Sequence, residues 1–232
     1  MSLVSELIVR TSGKSPKEKL TIVRDLFPGK VAMTSAFGAE SALGLHAVHD
    51  VDRHLPVITV DTGQHFEATR IYRATLIEFF KLTNVQVFYP DQAILDADDP
   101  HGNLWEKDDD ACCYVRKRLP FSLAIRPYQV IVTGRMRIHG GMRKEMAPIE
   151  EVFYDGVPYI RVNLIAEMTE QDLEAEFTVH ETPRHPLAGI YTSIGCAPCT
   201  YINLDPNDPR GGRAELDETR ECGMHPPPKP EV

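Results

Sequence analysis

The sequence has no apolar run of about 18 residues, the length that crosses a bilayer, and no basic-then-apolar leader at its N-terminus. Membrane insertion and secretion are therefore not expected, and a cytoplasmic setting is. Positive charge is in short supply: 25 Lys and Arg stand against 34 Asp and Glu, a formal charge of −9. That argues against a nonspecific nucleic-acid binder, although clustered arginines can still build a local anion site inside an acidic shell. Cysteines are few, and their number, five, is odd. An odd count fits poorly with a fully paired disulfide framework and points to a reducing compartment. At 232 residues, 42% of them hydrophobic, the chain can bury the core of one large domain, or of one domain with a tail.

The few cysteines are not scattered. Cys196-Ala197-Pro198-Cys199 is a CxxC held by Gly195 and Pro198, and Cys112-Cys113 is a vicinal pair upstream, giving CC-x82-CxxC. Four thiolates brought together by folding suit Zn²⁺ or an iron–sulfur cluster, because soft sulfur donors select those metals. Ligand softness does not separate the two. Cys222 stands apart in Glu221-Cys222-Gly223-Met224-His225, so the count is that of a metalloenzyme with a separate reactive thiol. The acidic stretch from Asp91 to Asp110 reads as a solvated connection with some helix, and its Asp108-Asp109-Asp110 run lacks the spacing of a Ca²⁺ loop.

Short apolar runs separated by loops and helical patterns predict an α/β fold. Strands are expected at 31–35, 55–60, 85–89 and 129–133, and a hairpin about Asp155-Gly156 joins 149–153 to 159–164. Helices are expected from Pro16, over 42–48, over about 66–80, and from the cap at Thr169. Successive strand–loop–helix units argue for a mostly parallel sheet with helices on both faces, where ligands bind beyond the carboxyl ends of the strands. Three loops fall there. Ser35 to Ser41 is small-residue-rich and opens a helix, which suits a phosphate, although it is no Walker A loop. Asp61-Thr62-Gly63 ends the second strand, where Asp61 could meet a ribose or adenine group or cap a helix. Gly134 to Arg143 carries Arg135, Arg137, His139 and Arg143, and guanidinium groups grip phosphate or sulfate oxygens in pairs. From Asn203 onward the chain is polar and rich in Pro and Gly, a composition for a mobile arm (203–232) beside a main domain (1–202).

Taken together, Thr219-Arg220-Glu221-Cys222-Gly223-Met224-His225, Ser35-Ala36-Phe37-Gly38-Ala39-Glu40-Ser41 and Asp61-Thr62-Gly63 resemble the assimilatory sulfonucleotide reductases, from about residue 30 to His225. The resemblance implies an adenine nucleotide alpha hydrolase-like (PP-loop) fold. The presence of Cys112, Cys113, Cys196 and Cys199 implies the branch that reduces adenosine 5′-phosphosulfate (APS) and binds one [4Fe–4S] cluster per subunit. It implies attack by Cys222, release of AMP, and reduction of the resulting S-sulfocysteine by a separate thioredoxin or glutaredoxin. Lys117 is implied beside the cluster and the sulfate, and Arg135, Arg137 and Arg143 on the phosphosulfate, with Arg220 and His225 completing the site. Ser35, Phe37, Gly38, Glu40 and Ser41 are implied in the phosphate loop, and Asp61, Thr62 and Gly63 in the nucleotide pocket. Relatives form dimers or tetramers, so a homo-oligomer is possible. Ile138-His139-Gly140-Gly141 departs from the Ser- or Gln-rich stretch of relatives, which leaves use of the 3′-phosphorylated nucleotide (PAPS) open.

Two rivals make different use of the same residues. An ATP pyrophosphatase of the same fold carries Ser-Gly-Gly-x-Asp-Ser in its phosphate loop, and Phe37 and Glu40 argue against it. An iron–sulfur regulator would use the four cysteines and would need neither Cys222 nor the arginine loop.

Overall fold

The computed structural model describes residues 2–205, 207–213 and 224. Two helices lead in, α1 (Leu3–Thr11) and α2 (Pro16–Leu26). Ser15 caps α2 in a full capping box with Glu18, and Pro16 occupies the first turn, where its missing N–H costs nothing. The central units follow as β1 (Val31–Thr34), α3 (Ser41–Val51), β2 (Val57–Val60), α4 (Glu67–Phe79) and β3 (Val85–Phe88). Next come α5 (Gln92–Asp98), α6 (Asp109–Cys113), one π-helical turn (Tyr114–Arg118) and α7 (Leu119–Ile125). The chain continues through β4 (Val130–Thr133), β5 (Ile149–Tyr154), β6 (Val157–Asn163) and α8 (Glu170–Val179). Among the described residues no helix is long and apolar enough to cross a membrane.

The strands form one sheet in the order β3-β2-β1-β4-β6-β5, parallel throughout except for the β5–β6 hairpin. The sequence pattern explains why it is covered on both sides. In β1, β2 and β4 every residue is buried, so the strands read as continuous apolar runs, and alternate residues supply two cores. Val31, Met33, Val57, Val130 and Val132 join the core beneath α1, α2, α3 and α8. Ala32, Ile58, Val60 and Ile131 join the one beneath α7. α3 packs closely on β1 at Gly44, where the end of the Met33 side chain fills the space that a Cβ would take.

The acidic stretch departs from the solvated connection expected of it. Most of its residues are exposed or half-buried, but Asp99 is buried. Its carboxylate takes 2.8 and 2.6 Å hydrogen bonds from Arg116 Nε and Nη2, so a distant cation, invisible to local composition, pulls it inside.

A second buried pair stands at the other edge of the sheet. Glu150 and Arg161 face each other directly in the β5–β6 register, and both are buried. Arg161 donates from Nε to Glu150 Oε2 at 3.1 Å and makes a further Nη2 contact to the same oxygen. Asn163 donates to Glu150 Oε1 at 3.1 Å and accepts from Thr133 Oγ1 at 2.8 Å. Removing one partner leaves a buried charge uncompensated. Arg161→Met is expected to cost about 3–5 kcal/mol by denaturant midpoint, and adding Glu150→Leu should recover most of it. A single variant as stable as the parent would contradict this role.

Candidate active site

A cleft of about 200 Å³ opens at the carboxyl ends of β1, β2 and β4, where a parallel sheet places its ligands. Its first wall is the 35–41 loop. Ser35 Oγ accepts from the Phe37 amide at 3.2 Å. Phe37 takes a left-handed φ of 50° while its side chain is buried in the core. A bulky residue held in that conformation is strained, and core packing of the ring fixes it there. Gly38, Glu40 and Ser41 then line the cleft. α3 starts at Ser41 with no side-chain cap from Glu40, which leaves the positive end of its dipole to an outside anion. Burial pushes the Glu40 carboxyl above the usual carboxylate range, although Arg143 and Arg210 pull it down.

The second wall carries the thiols. Cys112, Cys113 and Cys196 are buried and Cys199 is half-buried. They are neighbours: burial pushes the Cys112 thiol up to about 11, with Arg116 opposing the rise and Cys196 and Cys199 adding to it. Cys199 is likewise raised, first by burial and then by Cys196. An all-sulfur donor set this buried stays protonated until a soft cation replaces its protons, so the residues fit a thiolate-bound metal centre. The chain brings the two thiol pairs together through the loop after β2, at Thr62 and Gln64. Thr62 Oγ1 lies 3.3 Å from Cys196 Sγ, and the Ala197 amide donates to the Gln64 carbonyl at 2.7 Å. From the other side Arg116 Nη1 donates to the Thr62 carbonyl at 2.8 Å. Pro120 has no N–H with which to continue the regular ladder through this run, and the π turn directly before α7 carries both Arg116 and Lys117. Arg116 is spent on Asp99 and Thr62, whereas Lys117 lines the cleft.

The expected residues divide accordingly. Ser35, Gly38, Glu40, Ser41, Thr62, Lys117, Arg135, Arg143 and Cys196 line the cleft. Phe37, Asp61, Gly63 and Arg137 are not among its lining residues. Asp61 accepts from the Gly63 amide and from Arg73, both at 3.1 Å. Burial works to raise its pKa, yet the Gly63 amide, His65 and Arg73 hold it below the ordinary value. Arg137 donates to the Met146 carbonyl at 3.0 Å, bracing the loop from behind. Cys222, Arg220 and His225 lie outside the described residues.

Three ionisable lining residues went unassigned in the sequence reading. His65 pairs in a bridge with Cys196, and burial holds its imidazole down at about 4, so it is neutral at physiological pH. Arg210 and Arg213 also reach the cleft; their Gly-Gly spacing gave no pattern to find them by. The Arg213 guanidinium occupies the space that a Gly195 side chain would need. Gly195→Ala should therefore expel it and weaken AMP binding about tenfold, or about 1.4 kcal/mol, by calorimetry. Arg213→Ala should do the same, and the double variant no worse than either. Unchanged affinity in both single variants would remove Arg213 from the anion site.

Residues 30–202 match the phosphoadenosine phosphosulfate reductase domain family. The chain is 41% identical over 203 residues to adenosine 5′-phosphosulfate reductase of Mesorhizobium japonicum, spanning 87% of this chain and 78% of that one. It is 40% identical over 211 residues to the enzyme of the same name from a Chelativorans species, spanning 90% and 84%. Among solved structures, the fold is similar to phosphoadenylyl-sulfate reductase of Candida auris, with a TM-score of 0.71, 23% identity, and 85% and 96% of the two chains covered. It is also similar to FMN adenylyltransferase of Candida glabrata, with a TM-score of 0.59, 14% identity, and 88% and 68% covered. Those two likenesses establish a shared fold. The extent of the domain match and the identity to the two bacterial chains establish more: this chain belongs to the phosphoadenosine phosphosulfate reductase domain family, the sulfonucleotide reductases.

Proposed function

We propose that this protein is an adenylyl-sulfate reductase, converting APS to sulfite and AMP in sulfate assimilation through the thiol of Cys222. The observation that carries the reading is one cleft lined at once by the 35–41 loop, by Lys117 beside the thiols, and by Arg135 and Arg143. Met224, two residues along the chain from Cys222, lines the same cleft. The names of the two bacterial relatives favour APS as the substrate.

The chemistry asks for what these residues offer. The α3 N-terminus and the Ser35–Ser41 loop bind the α-phosphate, and Arg135, Arg143 and Lys117 draw charge from the sulfate. The Cys222 thiolate attacks sulfur in line, the S–O bond to phosphate breaks, and AMP leaves with the electron pair. The product on the enzyme is S-sulfocysteine. A dithiol protein of the thioredoxin or glutaredoxin class then attacks the Cys222 sulfur and expels sulfite. Its second thiol releases Cys222 and leaves the carrier as a disulfide. The two electrons come from that carrier. Positively charged groups held ready in a site that excludes water are worth far more than in solution. Cys112, Cys113, Cys196 and Cys199 would hold a [4Fe–4S] cluster, which when bound supplies structural tethering and an anionic charge that keeps Lys117 aimed into the cleft.

The test is Cys222→Ser. Sulfite release and transfer of ³⁵S from labelled APS to the protein should both vanish, with iron content and AMP binding retained. Sulfite at the parent rate would remove Cys222 as nucleophile. For Lys117→Ala the expected loss is in kcat, about 10²–10³-fold, with little change in melting temperature. A parent-like kcat would exclude its role at the sulfate.

A further inference from the structure

Away from the cleft, α3 and α8 meet through a group of side chains that the proposed reaction does not use. His46 on α3, Glu176 on α8 and His180 at the α8 C-cap bring one ligand atom each to within 4.8 Å of one another. His46 Nδ1 is 3.6 Å from Glu176 Oε2, and His180 Nε2 is 3.4 Å from that same oxygen. Both separations are longer than a charge-assisted hydrogen bond of about 2.7–2.9 Å. They match the roughly 3.3–3.6 Å between ligands that sit about 2.0–2.2 Å from one tetrahedral ion.

We propose that His46, Glu176 and His180 form a binding site for a divalent transition-metal ion, with Zn²⁺ the best match, that clamps α3 to α8. Two imidazoles and one carboxylate are a borderline donor set, suited to Zn²⁺ and its neighbours and poorly suited to Ca²⁺ or Mg²⁺. Three protein ligands leave further coordination positions to water, and the partial exposure of Glu176 and His180, at 43% and 37%, lets an ion enter.

The surroundings are those of a ligating histidine. Nε2 of His46, the nitrogen turned away from Glu176, is 3.8 Å from Asp50 Oδ1, and Lys17 Nζ holds the other Asp50 oxygen at 3.3 Å. At that distance the Asp50 carboxylate acts as a charge behind the imidazole, in the place of an outer-shell partner of a ligating histidine. The His46 and His180 rings are 3.8 Å apart between centroids, too close for both to carry a proton at little cost. Phe80, with its ring 5.9 Å from His46, closes the apolar side. Glu176 and His180 are four apart on one helix and share its face. α3 begins at Ser41 in the cleft, so the clamp would hold the helix whose first turn faces the phosphate.

The test uses the iron-loaded protein, stripped of loosely held metal with EDTA, dialysed against Zn²⁺ and assayed for zinc and iron. The expected result is about one Zn²⁺ per chain above the iron content, with a melting temperature that rises with Zn²⁺. His180→Ala and Glu176→Gln should weaken uptake at least tenfold and abolish the thermal shift while iron is unchanged. Asp50→Asn should weaken it by about tenfold, as loss of an outer partner does. His180 is half exposed at a helix end, so its replacement does not endanger folding. No uptake, equal uptake by the parent and His180→Ala, or uptake matched by iron loss would each overturn the site.

Discussion

A single buried guanidinium holds the candidate site together. Arg116 leaves water to bond Asp99 at the end of α5 and the carbonyl of Thr62 at the end of β2. A buried cation is tolerable only when its partners are complete, so three chain segments are locked to one another by one side chain. Cys112 and Cys113 sit immediately before it in α6, and Thr62 contacts Cys196. The thiols are thus gathered by the same contact that fixes the loop after β2. The division of labour between Arg116 and Lys117 follows from the π turn they occupy, which directs one cation inward and the next into the cleft.

Anion binding in an acidic protein is the second constraint. The chain carries a formal charge of −9, yet its cleft is lined by Lys117, Arg135, Arg143, Arg210 and Arg213. These cations come from three distant stretches of sequence: the π turn before α7, the loop after β4, and the segment 210–213. Glu40 is the counterweight. Its Oε2 lies 4.0 Å from His139 Nε2, and burial raises its pKa, so part of its negative charge is relieved where a phosphate would lie. A surface that repels anions in general and a cleft that collects them together favour one small anionic substrate over a polyanion.

The central strands β1, β2 and β4 were legible because each is short, wholly buried and apolar, and their period-2 alternation between two cores is a property of the residues themselves. The cap signals of α2 and α8 were legible for the same local reason. What the sequence concealed were pairings at a distance. Asp99 sits in a run of exposed acids and is told apart only by Arg116, 17 residues on. The arginine loop announced its chemistry by composition, but which arginine faces inward depends on a carbonyl at Met146 that claims Arg137. His65 and Arg213 depend on packing against Cys196 and Gly195.

The central claim, that one cleft joins a thiol-bound metal centre to the reduction of a phosphosulfate, is tested most directly by anaerobically purified protein supplied with reduced thioredoxin. Sulfite release would be compared for APS and for its 3′-phosphorylated form. Preferential release from APS, with stoichiometric AMP, is the result this structure predicts. Release from neither nucleotide, by protein whose iron and sulfide are present, would contradict the account and favour an iron–sulfur protein that acts by binding a partner.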